Sequence, residues 1–72
     1  IVNKVTQIVG DILNSDGVNH NSSMSNEPKW DSLNHVTIMV AVSKFYHINI
    51  SPLDIGESIS VKSIISLVKK KF

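Results

Sequence analysis

A chain of 72 residues with no cysteine has to hold its fold together by packing side chains. Neither a disulfide framework nor a thiolate metal site is open to it. Its length lies close to the lower limit for a self-sufficient core. One domain covering residues 1–72 is therefore expected, with little room for an enclosed pocket and its own catalytic machinery. Seven basic and six acidic side chains leave a net charge of +1, so no strong field points to nucleic acid or to an anionic membrane. No apolar run approaches the ~20 residues that span a bilayer. The start of the chain, Ile1-Val2-Asn3-Lys4, lacks the charged-then-apolar layout of a signal peptide, and a cytoplasmic setting is expected. The missing first methionine fits an excised domain or a trimmed chain.

Apolar residues recur at helical spacing in the first segment. Ile1, Val5, Ile8 and Ile12 are joined on the same side by Val2, Val9 and Leu13, while Asn3, Lys4, Gln7 and Asp11 fall mostly opposite. The pattern predicts an amphipathic helix over residues 1–14, slightly weakened by Gly10 and stopped by Asn14-Ser15-Asp16-Gly17. Residues 15–31 are polar and form a long connection. Links longer than ~12–15 residues are uncommon in compact domains and are usually functional or disordered. Val18, Met24 and Trp30 punctuate this stretch. An ordered loop that crosses the domain and pins itself with those three side chains is expected in preference to a flexible tether.

The segment from Asp31 to Tyr46 is β-branched and nearly all apolar between Val36 and Val42, which also suits a buried strand. Length and start signal favour a helix. Asp31 or Ser32 can cap it, and the residues up to Tyr46 include neither Gly nor Pro. Leu33, Val36 and Val40 share one stripe of that helix; Ile38, Val42, Phe45 and Tyr46 share another. Contacts on two sides are implied, one of them suited to a partner. Farther on, Ser51-Pro52 reads as a cap with proline at the first helical position, followed by a short turn of Leu53, Asp54 and Ile55 that Gly56 stops. Ser60 opens a last helix with Val61, Ile64, Ile65 and Val68 facing inward and Leu67 beside them. Lys69-Lys70-Lys71 complements the negative end of its dipole and reads as a solvated tail rather than a nucleic-acid contact. The expected fold is all-α: a small bundle of three main helices, a short helical turn before the last, and a long loop between the first and second.

The chemical signal is Asp31-Ser32-Leu33. A serine at the start of a helix presents its hydroxyl at the surface, where unpaired backbone N–H groups and the positive dipole end favour a phosphodiester. Alone, the tripeptide is an ordinary cap. Its surroundings change that reading, because nearly the whole chain, a first helix and a long loop leading to the motif and then an ungapped pattern from Ser32 to Val68, resembles the acyl carrier and peptidyl carrier protein family. In that family the prosthetic serine lies in an Asp-Ser-Leu/Ile motif opening the second helix. Here the motif is followed by apolar Val36, Ile38, Val40 and Val42, by Tyr46 at the helix end, by Ile50, and by Ser60-Val61 opening the last helix.

The resemblance implies an acyl-carrier-like bundle that bears a 4'-phosphopantetheine arm on Ser32, with Asp31 helping to position the serine. Docking would fall to Leu33, Asn34, Val36 and Val40. The implied partners are a phosphopantetheinyl transferase, an acyl- or aminoacyl-loading enzyme, and ketosynthase, condensation or acyltransferase-type enzymes. The chain itself would hold thioester-linked intermediates without catalysing anything. Trp30 and Asn34-His35, on either side of the motif, resemble carriers of polyketide, non-ribosomal peptide or accessory pathways. Fatty-acid carriers of the family are strongly acidic along the second helix, whereas here no carboxylate follows Asp31 before Tyr46. That departure turns the expectation away from primary fatty-acid synthesis.

Competing chemistries have little support. His20, His35 and His47 lack close ligand spacing and are expected at the surface. A Ser-His-Asp grouping of Ser32, His35 and Asp31 fails because neighbours on one helix supply neither a residue that orients the base nor an oxyanion hole. The alternative from another class is a non-covalent helical interaction module that binds a partner through Leu33, Val36 and Val40. Only the carrier needs the Ser32 hydroxyl.

Overall fold

A computed structural model describes residues 2–71, so Ile1 and the side chain of Val2 lie outside the described residues, and with them two positions of the first apolar stripe. Four helices follow in order: α1 (Val2–Leu13), α2 (Ser32–Tyr46), α3 (Pro52–Glu57) and α4 (Val61–Lys71). Among the described residues the one β feature is an isolated antiparallel bridge between Ser23 and Ser60. The expected all-α bundle is the observed one.

Spacing explains which face of α1 turns inward. Val5, Val9 and Leu13, four residues apart, are buried, while Ile8 and Ile12 pack partly buried beside them. The helix ends in a Schellman arrangement, with the Ser15 amide donating to the Gly10 carbonyl at 3.0 Å and the Asn14 amide to Asp11 at 3.3 Å. Asn14 takes the left-handed conformation (φ 52°) that glycine usually fills there. Gly10 also has a steric role, since a Cβ at that position would lie 3.2 Å from the Ser15 carbonyl oxygen.

The loop between α1 and α2 is ordered and crosses the bundle. The Met24 amide donates to the Ile59 carbonyl and the Val61 amide to the Ser22 carbonyl, each at 3.0 Å, so the loop is stitched to the residues that lead into α4. Trp30 is buried, and Val18 and Met24 pack against the core. All three expected anchors are in place.

Residues 36–42 are helical, and the strand alternative falls away. The inward stripe of α2 is His35, Ile38, Met39 and Val42, spaced i, i+3, i+4, i+7. Phe45, expected with Ile38 and Val42, lies outside that stripe and is half exposed. It meets Tyr46 edge-on at 4.9 Å and carries the Lys4 ammonium 4.5 Å from its ring centroid. From α4, Val61, Ile64, Ile65, Leu67 and Val68 complete the core.

Helix α3 starts as expected, with Ser51 as cap, Pro52 behind it, and a capping box in which Ser51 and Asp54 exchange side-chain-to-amide hydrogen bonds. Gly56 does not stop it. The helix runs on to Glu57, with Gly56 at a negative φ, and ends at Ser58, whose amide donates to the Asp54 carbonyl. The lysine run is not wholly a solvated tail either, since Lys71 Nζ reaches Asp54 Oδ2 at 3.2 Å.

The Ser51 amide, and then Lys71, hold the Asp54 carboxyl below the ordinary aspartate range. A depressed carboxyl stabilises the fold above the ordinary aspartate value, and that contribution is lost as pH falls through the lowered one. Acidification should therefore reduce the hydrogen-exchange protection of α3 amides before that of α1 and α4. Asp54→Asn should remove this acid dependence. Protection factors in α3 that ignore acid in the parent would refute the assignment.

Candidate functional site

Asp31 and not Ser32 caps α2. Its backbone is extended (φ −98°, ψ −178°) and its Oδ1 accepts the Asn34 amide at 2.8 Å. Ser32 is thereby moved to the first helical position, where it is exposed. Its hydroxyl is not used for capping and bonds to none of the described residues. The amides of Ser32 and Leu33 fall in the first turn, where no intrahelical acceptor exists. An exposed nucleophile-type oxygen, two unpaired N–H groups and the positive end of a 15-residue helix therefore meet at one point.

The segment leading into this point is firmly held. The Asn34 side-chain amide donates to the Lys29 carbonyl at 2.8 Å, and the Trp30 amide to the Glu27 carbonyl at 3.0 Å. Lys29 Nζ reaches the Asn14 carbonyl at 3.1 Å and joins the segment to the end of α1. Asn34, expected to dock a partner, thus commits part of its amide to the loop.

The outward stripe of α2 begins one residue after the serine. Leu33 is 77% exposed, Val36 48% and Val40 45%, so all three apolar docking candidates face solvent. Leu53, in the first turn of α3, is 70% exposed, and the sequence reading assigned it only to a short turn. Its signal was present: a large apolar residue directly after a Ser-Pro start sits in the first turn of a short helix, where little can cover it.

His35 corrects an expectation. It is not a surface histidine but is 5% exposed. The Trp30 indole N–H donates to its Nδ1 at 3.0 Å, its Nε2 lies 2.7 Å from the Ile55 carbonyl oxygen, and the two rings stand 5.9 Å apart at 37°. The physical reason is register, since position 35 opens the stripe continued by Ile38, Met39 and Val42. Both ring nitrogens are engaged away from Ser32, which also removes the Ser-His-Asp grouping. His20 and His47 are exposed. Among the described residues no group of three or more His, Cys, Asp or Glu could hold a metal ion. No helix among them is long and apolar enough to cross a membrane.

No family model matches the chain, and no curated protein matches it. Among solved structures it is similar to the solution NMR structure of a holo acyl carrier protein from Geobacter metallireducens. The TM-score is 0.84 at 24% identity, over 97% of this chain and 83% of that one. The chain has the fold of an acyl carrier protein.

Proposed function

We propose that the chain is a carrier domain of the acyl and peptidyl carrier family, bearing a 4'-phosphopantetheine arm on Ser32. The observation that carries this reading is an exposed, unengaged serine hydroxyl at the first position of α2, behind the Asp31 cap, in a fold shared with a holo acyl carrier protein.

The residues present suit the arm. Ser32 is open to the active site of a second protein. The unpaired amides and the dipole of α2 favour the phosphodiester charge, and beyond the capping Asp31 no carboxylate on α2 opposes it. In attachment, Ser32 Oγ bonds to the pantetheine-side phosphorus of coenzyme A. The bond from that phosphorus to adenosine 3',5'-bisphosphate breaks, and the hydroxyl proton passes to a base of the transferase. Once attached, the arm supplies a thiol that holds acyl or aminoacyl groups as thioesters. The chain's own part is to keep Ser32 exposed and to give partners a surface to grip. Tethering raises the effective concentration of the group at each partner enzyme, as a linker does for two joined modules. A cytoplasmic setting, where coenzyme A is present, goes with this reading, as does a specialised polyketide, peptide or accessory pathway.

The direct test is incubation with coenzyme A and a broad-specificity phosphopantetheinyl transferase. Intact-mass spectrometry should show one added phosphopantetheine, and peptide mapping should put it on Ser32. A chain that no such enzyme modifies sinks the proposal.

Docking partners, among them loading, ketosynthase, condensation or acyltransferase-type enzymes, would grip Leu33, Val36 and Val40. With no carboxylate on α2, charge steering contributes little, and steering is the component that salt screens. Transfer to a cognate enzyme should therefore vary weakly with ionic strength. Val40→Asp should impair it more than Lys44→Ala. A steep salt dependence with indifference to Val40→Asp would show that charge governs docking.

A further inference from the structure

We propose that His35 is the positioning residue for Ser32: one imidazole fixes the segment that delivers the serine and ties α3 to the same point. The proposal rests on the carrier reading above and names a device that serves it.

Hydrogen-bond chemistry defines what the ring must do. An indole N–H can only donate and a backbone carbonyl can only accept. With Trp30 Nε1 at 3.0 Å from Nδ1 and the Ile55 oxygen at 2.7 Å from Nε2, His35 accepts at Nδ1 and donates at Nε2. The network thus selects the Nε2–H tautomer. Few side chains can accept at one end and donate at the other. A carboxamide can, and an aliphatic side chain cannot.

Each end of this relay leads somewhere specific. Trp30 lies two residues before Ser32, and its indole is 2% exposed, so its orientation fixes the backbone next to the cap. Asp31, between the two, receives the His35 amide on its carbonyl at 2.8 Å and caps α2 through its side chain. If the indole moves, the cap moves, and the serine at the next position moves with it. The neighbouring tie from Asn34 to Lys29 is exposed and open to competition from water, whereas the Trp30–His35 bond is buried.

At the other end, the Ile55 carbonyl is among the last four of α3, which lack intrahelical donors. His35 supplies the missing donor. α3 contributes no buried residue of its own. Its other ties are the partly buried Ile55 and the Asp54–Lys71 pair. The placement of the least buried helix and the placement of Ser32 therefore depend on the same ring.

Transferase kinetics on the full chain test this with three variants: His35→Leu, which fills the space without either hydrogen bond; His35→Gln, which keeps an acceptor and a donor; and Trp30→Phe, which keeps an aromatic ring but loses the N–H. The expected result for His35→Leu is a KM for the carrier raised about tenfold with kcat little changed, because misplaced presentation weakens binding to the transferase rather than its chemistry. A tenfold change in kcat/KM corresponds to ~1.4 kcal/mol. His35→Gln should recover most of the loss, and Trp30→Phe should fall between parent and His35→Leu. The amides of Trp30 and Asn34, which donate to the Glu27 carbonyl and to Asp31 Oδ1, should exchange faster in His35→Leu while those of α1 and α4 change less.

Parental loading kinetics in His35→Leu overturn the proposal, as does a glutamine variant no better than leucine. If His35→Leu does not fold, Trp30→Phe decides: a KM equal to the parent's overturns the proposal, and a raised one supports it. A parent that is never loaded overturns the carrier reading instead. The exchange comparison at Trp30 and Asn34 then still decides whether His35 holds the serine in place: unchanged exchange there overturns the proposal.

Discussion

Ser32→Ala should remain fully helical, keep its denaturation midpoint, and gain no mass from coenzyme A and a transferase. The two halves of this expectation separate because of where the helix is capped. Had Ser32 been the cap, its loss would cost ~0.5–2 kcal/mol and confound any loss of loading. Asp31 carries the cap, and the Ser32 hydroxyl bonds to none of the described residues. Alanine is also the best helix former at an exposed helical position. The stability change should stay within about 0.5 kcal/mol. Loading, which needs the oxygen itself, should vanish. Asp31→Ala should show the reverse pattern, with the cap lost, stability reduced, and loading slowed but present. Ser32→Ala also separates the carrier from a non-covalent helical interaction module, which would bind through Leu33, Val36 and Val40 whether or not Ser32 kept its hydroxyl. An alanine variant that still gains the arm would move attachment elsewhere and end the assignment.

What the sequence made legible was local. The periodicities of α1 and α4, a cap at Asp31 or Ser32 and the Ser51-Pro52 start depend on residues within a turn or two of one another, and each element was found where expected, with Asp31 taking the cap. The three apolar anchors of the long loop were legible too, because little else in a polar stretch can bury itself. α2 was harder. It is apolar on most sides, so its pattern gives two stripes without saying which faces the core. Packing against α1 settles that and leaves Phe45 outside. His35 was illegible for a related reason. A histidine is at home on either face of a helix, and its burial depends on a carbonyl twenty residues away on α3. The Lys71–Asp54 contact is likewise a product of the assembled fold. For the site, the position of Ser32 could be read from the chain, whereas the devices that hold it there could not.

Trp30→Ala should cause the largest loss of stability of any substitution considered for this chain. The indole is 2% exposed and belongs to the core with Ile38, Met39 and Ile64. Truncating a buried aromatic to alanine typically costs ~3–5 kcal/mol, as lost burial and as the cavity left behind. Here a second penalty adds to it. His35 Nδ1 would lose its donor while still buried, and an orphaned buried acceptor costs about 1–3 kcal/mol more unless water can reach it. Total stability at roughly 0.05–0.15 kcal/mol per residue amounts to about 4–11 kcal/mol for a 72-residue chain. The loss is thus between a large fraction of the whole and all of it. Because Trp30 is the one tryptophan, unfolding has to be followed by circular dichroism in urea rather than by fluorescence. The midpoint should fall steeply, or the variant should be unfolded without denaturant. Trp30→Phe, which returns most of the ring but not the N–H, should recover the larger part of the loss, and the remainder measures the bond to His35. A midpoint unmoved by Trp30→Ala would mean that the indole packs against nothing, and neither the ordered loop nor the relay through His35 would survive that result.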